Sequence, residues 1–341
     1  MNFSFALRAS ARLLPNLFTL FTSRSPMPAA HRTTLLVVLL GTMALTGCAF
    51  PAGAAPTAKP VADVAARVQA LLPLHALLLG EQHDAPDHQR IHVEVIEALA
   101  ARGARSAVVI EMAMQGNSTA SLAATSSQRS TGASEDAVRA ALKWDERAWP
   151  WAAYAPAIMT AVRAGVPVLG SNVPRAQMGA AMQQTDLDQR LSGPALKAQQ
   201  QLIRLGHCNL LPESQVSPMT RIQIARDVAM ANAVVKAITD AAIAPNAVSP
   251  ANPASPAHPA YSAYPTHPAK TVVLLAGSGH VDRMLGVPQH LPAGVTAKSV
   301  LLVAGSASDA GDRAANFDTV WAAAPVPAKD YCAGLKAKLP G

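Results

Sequence analysis

The chain has 341 residues, half of them hydrophobic, with a formal charge of +7. Four of its 28 basic side chains, Arg8, Arg12, Arg24 and Arg32, precede Cys48, where no acidic residue occurs. The remainder balances to roughly +3 without Lys/Arg runs, so no electrostatic footprint for nucleic acid exists and none is expected as a partner.

In chain order, the first element is a targeting segment, residues 1–47. His31 and Arg32 precede a mostly apolar run, Leu35 to Leu45, too short to span a bilayer, and Leu45-Thr46-Gly47-Cys48 follows as a lipoprotein cleavage box. Cys48 is the expected lipidation site, because more than one acyl chain on one residue gives stable anchoring. Residues 49–60, small residues and proline, read as a tether. Residues 61–341 then form one domain, interrupted by a Pro/Ala-rich insertion at 244–270 that is expected to be extended and solvated.

Within the domain, five apolar runs read as buried parallel strands: Ala76–Leu79, Ala107–Ile110, Val166–Leu169, Val272–Ala276 and Ser299–Val303. Helix-period stretches separate them, at Pro86–Ala101, Trp151–Ala164, Pro194–Leu205 and Pro218–Asp240. This alternation predicts an α/β fold with a central, mainly parallel sheet and flanking helices. Pro86 and Pro194 suit first helical turns, and Asp84 or Asp87 could cap the first of these helices.

Polar residues follow four of the strand ends: Gly80-Glu81-Gln82-His83-Asp84, Glu111-Met112, Ser171-Asn172-Val173-Pro174-Arg175 and Gly277-Ser278-Gly279-His280. Ligands of open parallel sheets bind outside the carboxyl ends of the strands, so His83, Glu111, Arg175 and His280 are expected to face one crevice. Two Gly-x-x-His turns and a glutamate make a plausible divalent-metal set, His83, Glu111 and His280, for Zn, Mn or Fe. Alternatively, one histidine is a general base and Arg175 holds an anion. His88 and His92, four apart on one helix, read as partly exposed polar residues beside the stripe Ile91-Val95-Leu99, with a place at the site as the alternative. Three of the four Trp lie in 144–154, together with Tyr154, either lining a flat ligand or anchoring a helix on the sheet. Cys208 and Cys332 remain as an even pair in an oxidising compartment. A disulfide would tie the C-terminal tail to the domain, two free thiols being the alternative.

Taken together, GEQHD (80–84), IEM (110–112), WDERAWPWAAY (144–154), GVPVLGSNVPR (165–175), GHCNLLP (206–212) and GSGHVDR (277–283) with GVPQHL (286–291) resemble the ChaN family of haem-binding lipoproteins, in the Tiki superfamily. The resemblance spans roughly residues 71–321 and includes the lipobox and the helix RIQIARDVAM (221–230). It implies an α/β fold related to erythromycin esterases and Tiki metalloproteases, and a bacterial envelope protein that binds haem for iron acquisition without catalysis. The superfamily's Gly-x-x-His pair and glutamate match His83, His280 and Glu111. Tyr154 is the first candidate for axial ligand, since a phenolate stabilises ferric iron; His83 and His280 are the alternatives, and Arg175 is a propionate partner. Near Phe317–Trp321, where related chains often carry a tyrosine, this chain has none. Implied partners are haem, the membrane through the lipid anchor, an outer-membrane haem or iron receptor, and a second copy of the chain. Ala49 after the cysteine, in place of aspartate, favours the outer membrane. The other functional reading is a Tiki-type metal-dependent hydrolase in which the His83/Glu111/His280 cluster activates water.

Overall fold

The computed structural model describes residues 63–103, 105–124, 132–243 and 270–336. The targeting segment, Cys48, the tether and insertion residues 244–269 lie outside the described residues.

Six strands form one sheet: β1 (Ala76–Glu81), β2 (Arg105–Met114), β3 (Val168–Asn172), β4 (Thr271–Gly277), β5 (Ala297–Ala304) and β6 (Thr319–Ala323). Their order is β3-β2-β4-β1-β5-β6, and every neighbouring pair is parallel. The predicted α/β architecture is therefore correct. Central strands are buried on both faces, which is why they read as unbroken apolar runs. Leu77 and Leu79 of β1 join one core and Ala76 and Leu78 the other, the period of two expected of a strand. Each fully buried Leu or Ile contributes about 1.5–3 kcal/mol relative to exposure.

The first core is covered by α1 (Val64–Leu71), α2 (Pro86–Ala101), α4 (Glu135–Leu142) and α5 (Trp151–Arg163), while the short α3 (Ala120–Ala124) follows β2. The second is covered by α8 (Glu213–Ile243), which reaches the sheet after α6 (Arg175–Gln183) and α7 (Gly193–Gly206). Ser134 and Ser192 cap α4 and α7. No side chain caps α2; its N-cap is Ala85, because Asp84 and Asp87 are engaged elsewhere. Among the described residues no helix is long and apolar enough to cross a membrane.

The connections β1→β2→β3 run outward over the first face, and β3→β4→β5→β6 run back over the second. Right-handed crossovers require that change of face with direction. Where β1 and β4 lie side by side, the chain leaves them in opposite directions, and that switch point is where an open parallel sheet has its crevice. The third strand starts two residues later than predicted. The sixth was not predicted: its apolar run, residues 320–324, is mostly alanine, and the strand is only partly buried at the edge of the sheet.

The insertion joins the end of α8 to the start of β4, at the amino end of the sheet. Replacing residues 245–269 with a short Gly/Ser linker is expected to change stability by only about 1 kcal/mol, the scale of loop-closure entropy. Urea unfolding checks this; loss of the cooperative transition would show that the segment carries part of the fold.

Candidate functional site

Two Gly-x-x-His turns stand side by side at the switch point, since Glu81 and Gly277 are paired in register on β1 and β4. The main chain binds them together, Ser278 N donating to Glu81 O at 2.9 Å. Each glycine makes room for the other turn. A Cβ at Gly277 would lie 2.9 Å from His83 Nε2, and one at Gly80 would lie 2.4 Å from Val281 Cγ2.

Carboxylates and imidazoles alternate across this junction. Asp227 Oδ1 is 2.5 Å from His280 Nδ1, and His280 Nε2 is 3.4 Å from Glu111 Oε1. Glu111 Oε2 is 3.8 Å from His83 Nε2, and His83 Nδ1 is 2.6 Å from Glu81 Oε1. Glu81 also accepts from Gln89 Nε2 at 2.5 Å and from the Tyr154 hydroxyl at 3.1 Å. Glu111 is further held by Arg226 Nη2 at 2.5 Å and by Gly277 N–H at 2.8 Å. Arg226 Nε donates to Asn172 Oδ1, whose amide in turn donates to the Glu111 carbonyl. Three carboxylates thus face two imidazoles and one guanidinium, all of them largely buried.

Burial alone would raise Glu111, but His280 and Arg226 outweigh it and hold the carboxyl well below its usual range. Glu81 is likewise lowered, because His83 more than offsets its burial. His83 is raised despite burial by the Glu81 hydrogen bond and the Glu111 charge. Burial also works against charge on His280, yet Glu111 and Asp227 push it up to about 9, while Asp227, wholly buried, rises to about 6. Both members of that pair are therefore ionised near neutrality. The sign for stability follows. His280, at about 9 folded and near 6.5 unfolded, contributes fully below about 6.5 and loses that contribution as pH rises through about 9. Unfolding free energy should decline over that window by on the order of 3 kcal/mol, and His280→Gln should flatten the slope. A melting temperature independent of pH across the window would contradict a buried imidazolium.

Of the four predicted crevice residues, His83, Glu111 and His280 converge. Arg175 does not join them. It opens α6 with its side chain in solvent, and makes no ion pair among the described residues. The guanidinium on Glu111 belongs to Arg226. His88 and His92 are fully buried rather than partly exposed, because that face of α2 lies under the end of β1. His88 Nδ1 accepts from Gln82 N–H at 2.9 Å, and His92 Nδ1 is 3.5 Å from Glu81. Burial lowers both, His88 to about 4, so they are neutral. Tyr154 is buried, and burial together with the Glu81 carboxylate raises its phenol, which keeps its proton. Its neighbours Trp144, Trp149 and Trp151 belong to the packing of α5 on the first core, and Trp149 meets the His83 ring edge-on at 4.8 Å between centroids. Cys208 and Cys332 are joined by a disulfide.

Glu81, Gln89, Arg226, Asp227 and Gln223, whose side-chain amide lies 3.0 Å from His280 Nδ1, were not singled out from the sequence. Gln223, Arg226 and Asp227 share one face of α8 by their spacing, and that spacing was the available signal. Among the described residues no group of three or more His, Cys, Asp or Glu is disposed to hold a metal ion. Arg226 occupies Glu111 and Asp227 occupies His280, so two of the three donors of the divalent-ion alternative are engaged by charged partners.

A single parallel sheet with helices on both faces and a closed network of acids and imidazoles at its switch point defines an α/β protein with its site at the carboxyl edge. Residues 68–291 match the family described as haem-binding uptake, Tiki superfamily, ChaN, and the chain belongs to that family. It is similar in fold to a ChaN of Campylobacter jejuni described by cofacial haem binding, with a TM-score of 0.52 and 20% identity over 71% of this chain and 86% of that one. The type III effector HopBA1 also matches, with a TM-score of 0.41 and 15% identity over 77% and 94% of the two chains. No curated protein matches the sequence.

Proposed function

We propose that this protein binds haem at the carboxyl edge of its sheet, as a lipid-anchored component of the bacterial envelope that serves iron acquisition. One observation carries the reading: the segment matched to the haem-binding uptake family, 68–291, contains every residue of the crevice.

The residues present fit a porphyrin at one point. A haem needs a donor atom that reaches the surface beside an apolar wall, and His83 and Trp149 supply these. The His83 side chain is 16% exposed, against 5% for His280 and 2% for Glu111. Its Nδ1 is committed to Glu81, which fixes the ring and directs Nε2 outward from that bond, an arrangement common to metal-ligating histidines. Tyr154, buried and protonated, and His280, held by Asp227, are the lesser candidates. Arg175, solvent-exposed just after β3, is available to the haem carboxylates. Bound haem would supply an iron centre for carriage. The chain's own residues hold the ligand and set its orientation.

Titrating haemin into the full-length protein in detergent tests this. A saturable Soret band at one haem per chain is the expected result, and a linear, non-saturating absorbance would end the haem reading. Anchoring rests on the box at Cys48. Cys48→Ser is expected to move the protein out of the membrane fraction, and a signal-cleaved variant that stays bound would remove the lipid anchor from the account.

A further inference from the structure

The C-terminal segment beyond β6 lies outside the matched residues 68–291, yet it returns to the site. Since the strands are parallel, β6 ends at Ala323 on the same edge of the sheet as Glu81 and Gly277. From there Ala324 N–H donates to Asp87 Oδ2 at 2.7 Å, in the first turn of α2. Lys329 Nζ lies 3.3 Å from Asp84 Oδ2. The Tyr331 hydroxyl is 3.0 and 2.8 Å from the two Asp84 oxygens and accepts from Gln82 Nε2 at 3.2 Å. Gln82 Nε2 also donates to Asp84 Oδ1 at 3.0 Å, closing a three-membered ring of contacts. One residue further on, Cys332 is bonded to Cys208, just past α7 and 124 residues away in sequence. The segment is thus a strap, fixed at one end by β6 and at the other by a covalent bond. Pro325 and Pro327 restrict its backbone between these ends. The residues it grips, Gln82 and Asp84, are the two neighbours of His83.

We propose that Tyr331 is a positioning residue for the haem site: the disulfide-anchored strap clamps Gln82 and Asp84 and thereby fixes the turn that carries His83. This rests on the haem reading for its ligand, but the ordering of the turn can be read without haemin. The hydroxyl is the active part, because a hydrogen bond to a carboxylate is directional and stronger than one between neutral groups. The disulfide's part is to keep the hydroxyl at its partner.

The test uses the full-length protein in detergent, its Tyr331→Phe variant and the double variant Cys208→Ser/Cys332→Ser. Without haemin, amide exchange in a peptide spanning 80–85 is expected to rise roughly tenfold in Tyr331→Phe, the factor that matches loss of one hydrogen bond to a charged group. Haemin affinity should fall by a similar factor, with the Soret maximum and the melting temperature unchanged. The double variant should show the same two changes, since its strap has lost its anchor. Asp84→Asn, whose side-chain oxygen still accepts from Tyr331, should retain most of the affinity that Asp84→Ala loses. Unchanged exchange in Tyr331→Phe would overturn the clamp. Raised exchange with unchanged haemin affinity would overturn its role at the site, and a shifted Soret maximum would make Tyr331 a ligand rather than a positioning residue. If the parent chain binds no haemin, the haem reading fails by itself, and the exchange comparison still decides whether the strap holds the turn.

Discussion

His83→Ala is expected to abolish the ferric Soret signature of the haemin-loaded protein, whereas Tyr154→Phe leaves it in place. The affinity lost on removing His83 should exceed the roughly 10–100-fold that follows from removing an outer-shell partner. The contrast comes from burial and protonation. The Tyr154 hydroxyl lies inside the core, donating to Glu81, and both its burial and that carboxylate favour the neutral phenol. His83 is the most exposed imidazole of the network and is oriented by the same carboxylate. Tyr154→Phe removes one of several hydrogen bonds to Glu81, at a cost of about 1 kcal/mol in stability. The opposite pattern, a spectrum lost in Tyr154→Phe and kept in His83→Ala, would transfer the iron to the phenolate and require the core to open on binding.

The second large effect concerns stability. Arg226→Ala should destabilise the domain by about 3–5 kcal/mol, because it leaves the Glu111 carboxylate buried without the guanidinium that faces it. At about 2–4 °C per kcal/mol for a domain of this size, the melting temperature should drop by roughly 10 °C. Arg226→Lys should recover only part of this. A lysine ammonium cannot reproduce the fork that reaches Glu111 through Nη2 and Asn172 through Nε together. Glu111→Gln tests the same balance from the other side, since it keeps an oxygen for the Gly277 N–H but removes the countercharge of His280 and Arg226. A loss below about 1 kcal/mol in Arg226→Ala, the scale of an exposed pair, would show that water reaches Glu111 and that the network is not closed.

The sheet was legible because its central strands are buried on both faces, so that Leu77 to Leu79 or Val272 to Ala276 cannot be anything polar. The two Gly-x-x-His turns and Glu111 were legible as well, since chemistry in such sheets collects at the ends of strands. What the sequence did not disclose was direction. Arg175 and Glu111 both follow strands closely, but α6 begins at Arg175 and turns its side chain outward, whereas Glu111 is still within β2. Arg226 and Asp227 sit mid-helix in α8, more than forty residues before the turn they serve, and their role depends on which face of α8 meets the sheet. The pair His88 and His92 has the same origin: period fixes that two residues share a face, and packing decides which face is buried. Glu81 was hidden by its neighbour, as the final residue of a strand whose visible motif ends in a histidine.

A sheet whose strands all point one way gives the domain two unlike poles. The segment outside the described residues, 244–269, departs from α8 and rejoins at Thr271, the first residue of β4, while Gly277 closes that strand beneath His83. Seven residues of extended chain separate these poles by roughly 20 Å. A fluorophore, an affinity tag or a surface-coupling group placed next to Thr271 would attach at the pole away from the histidines.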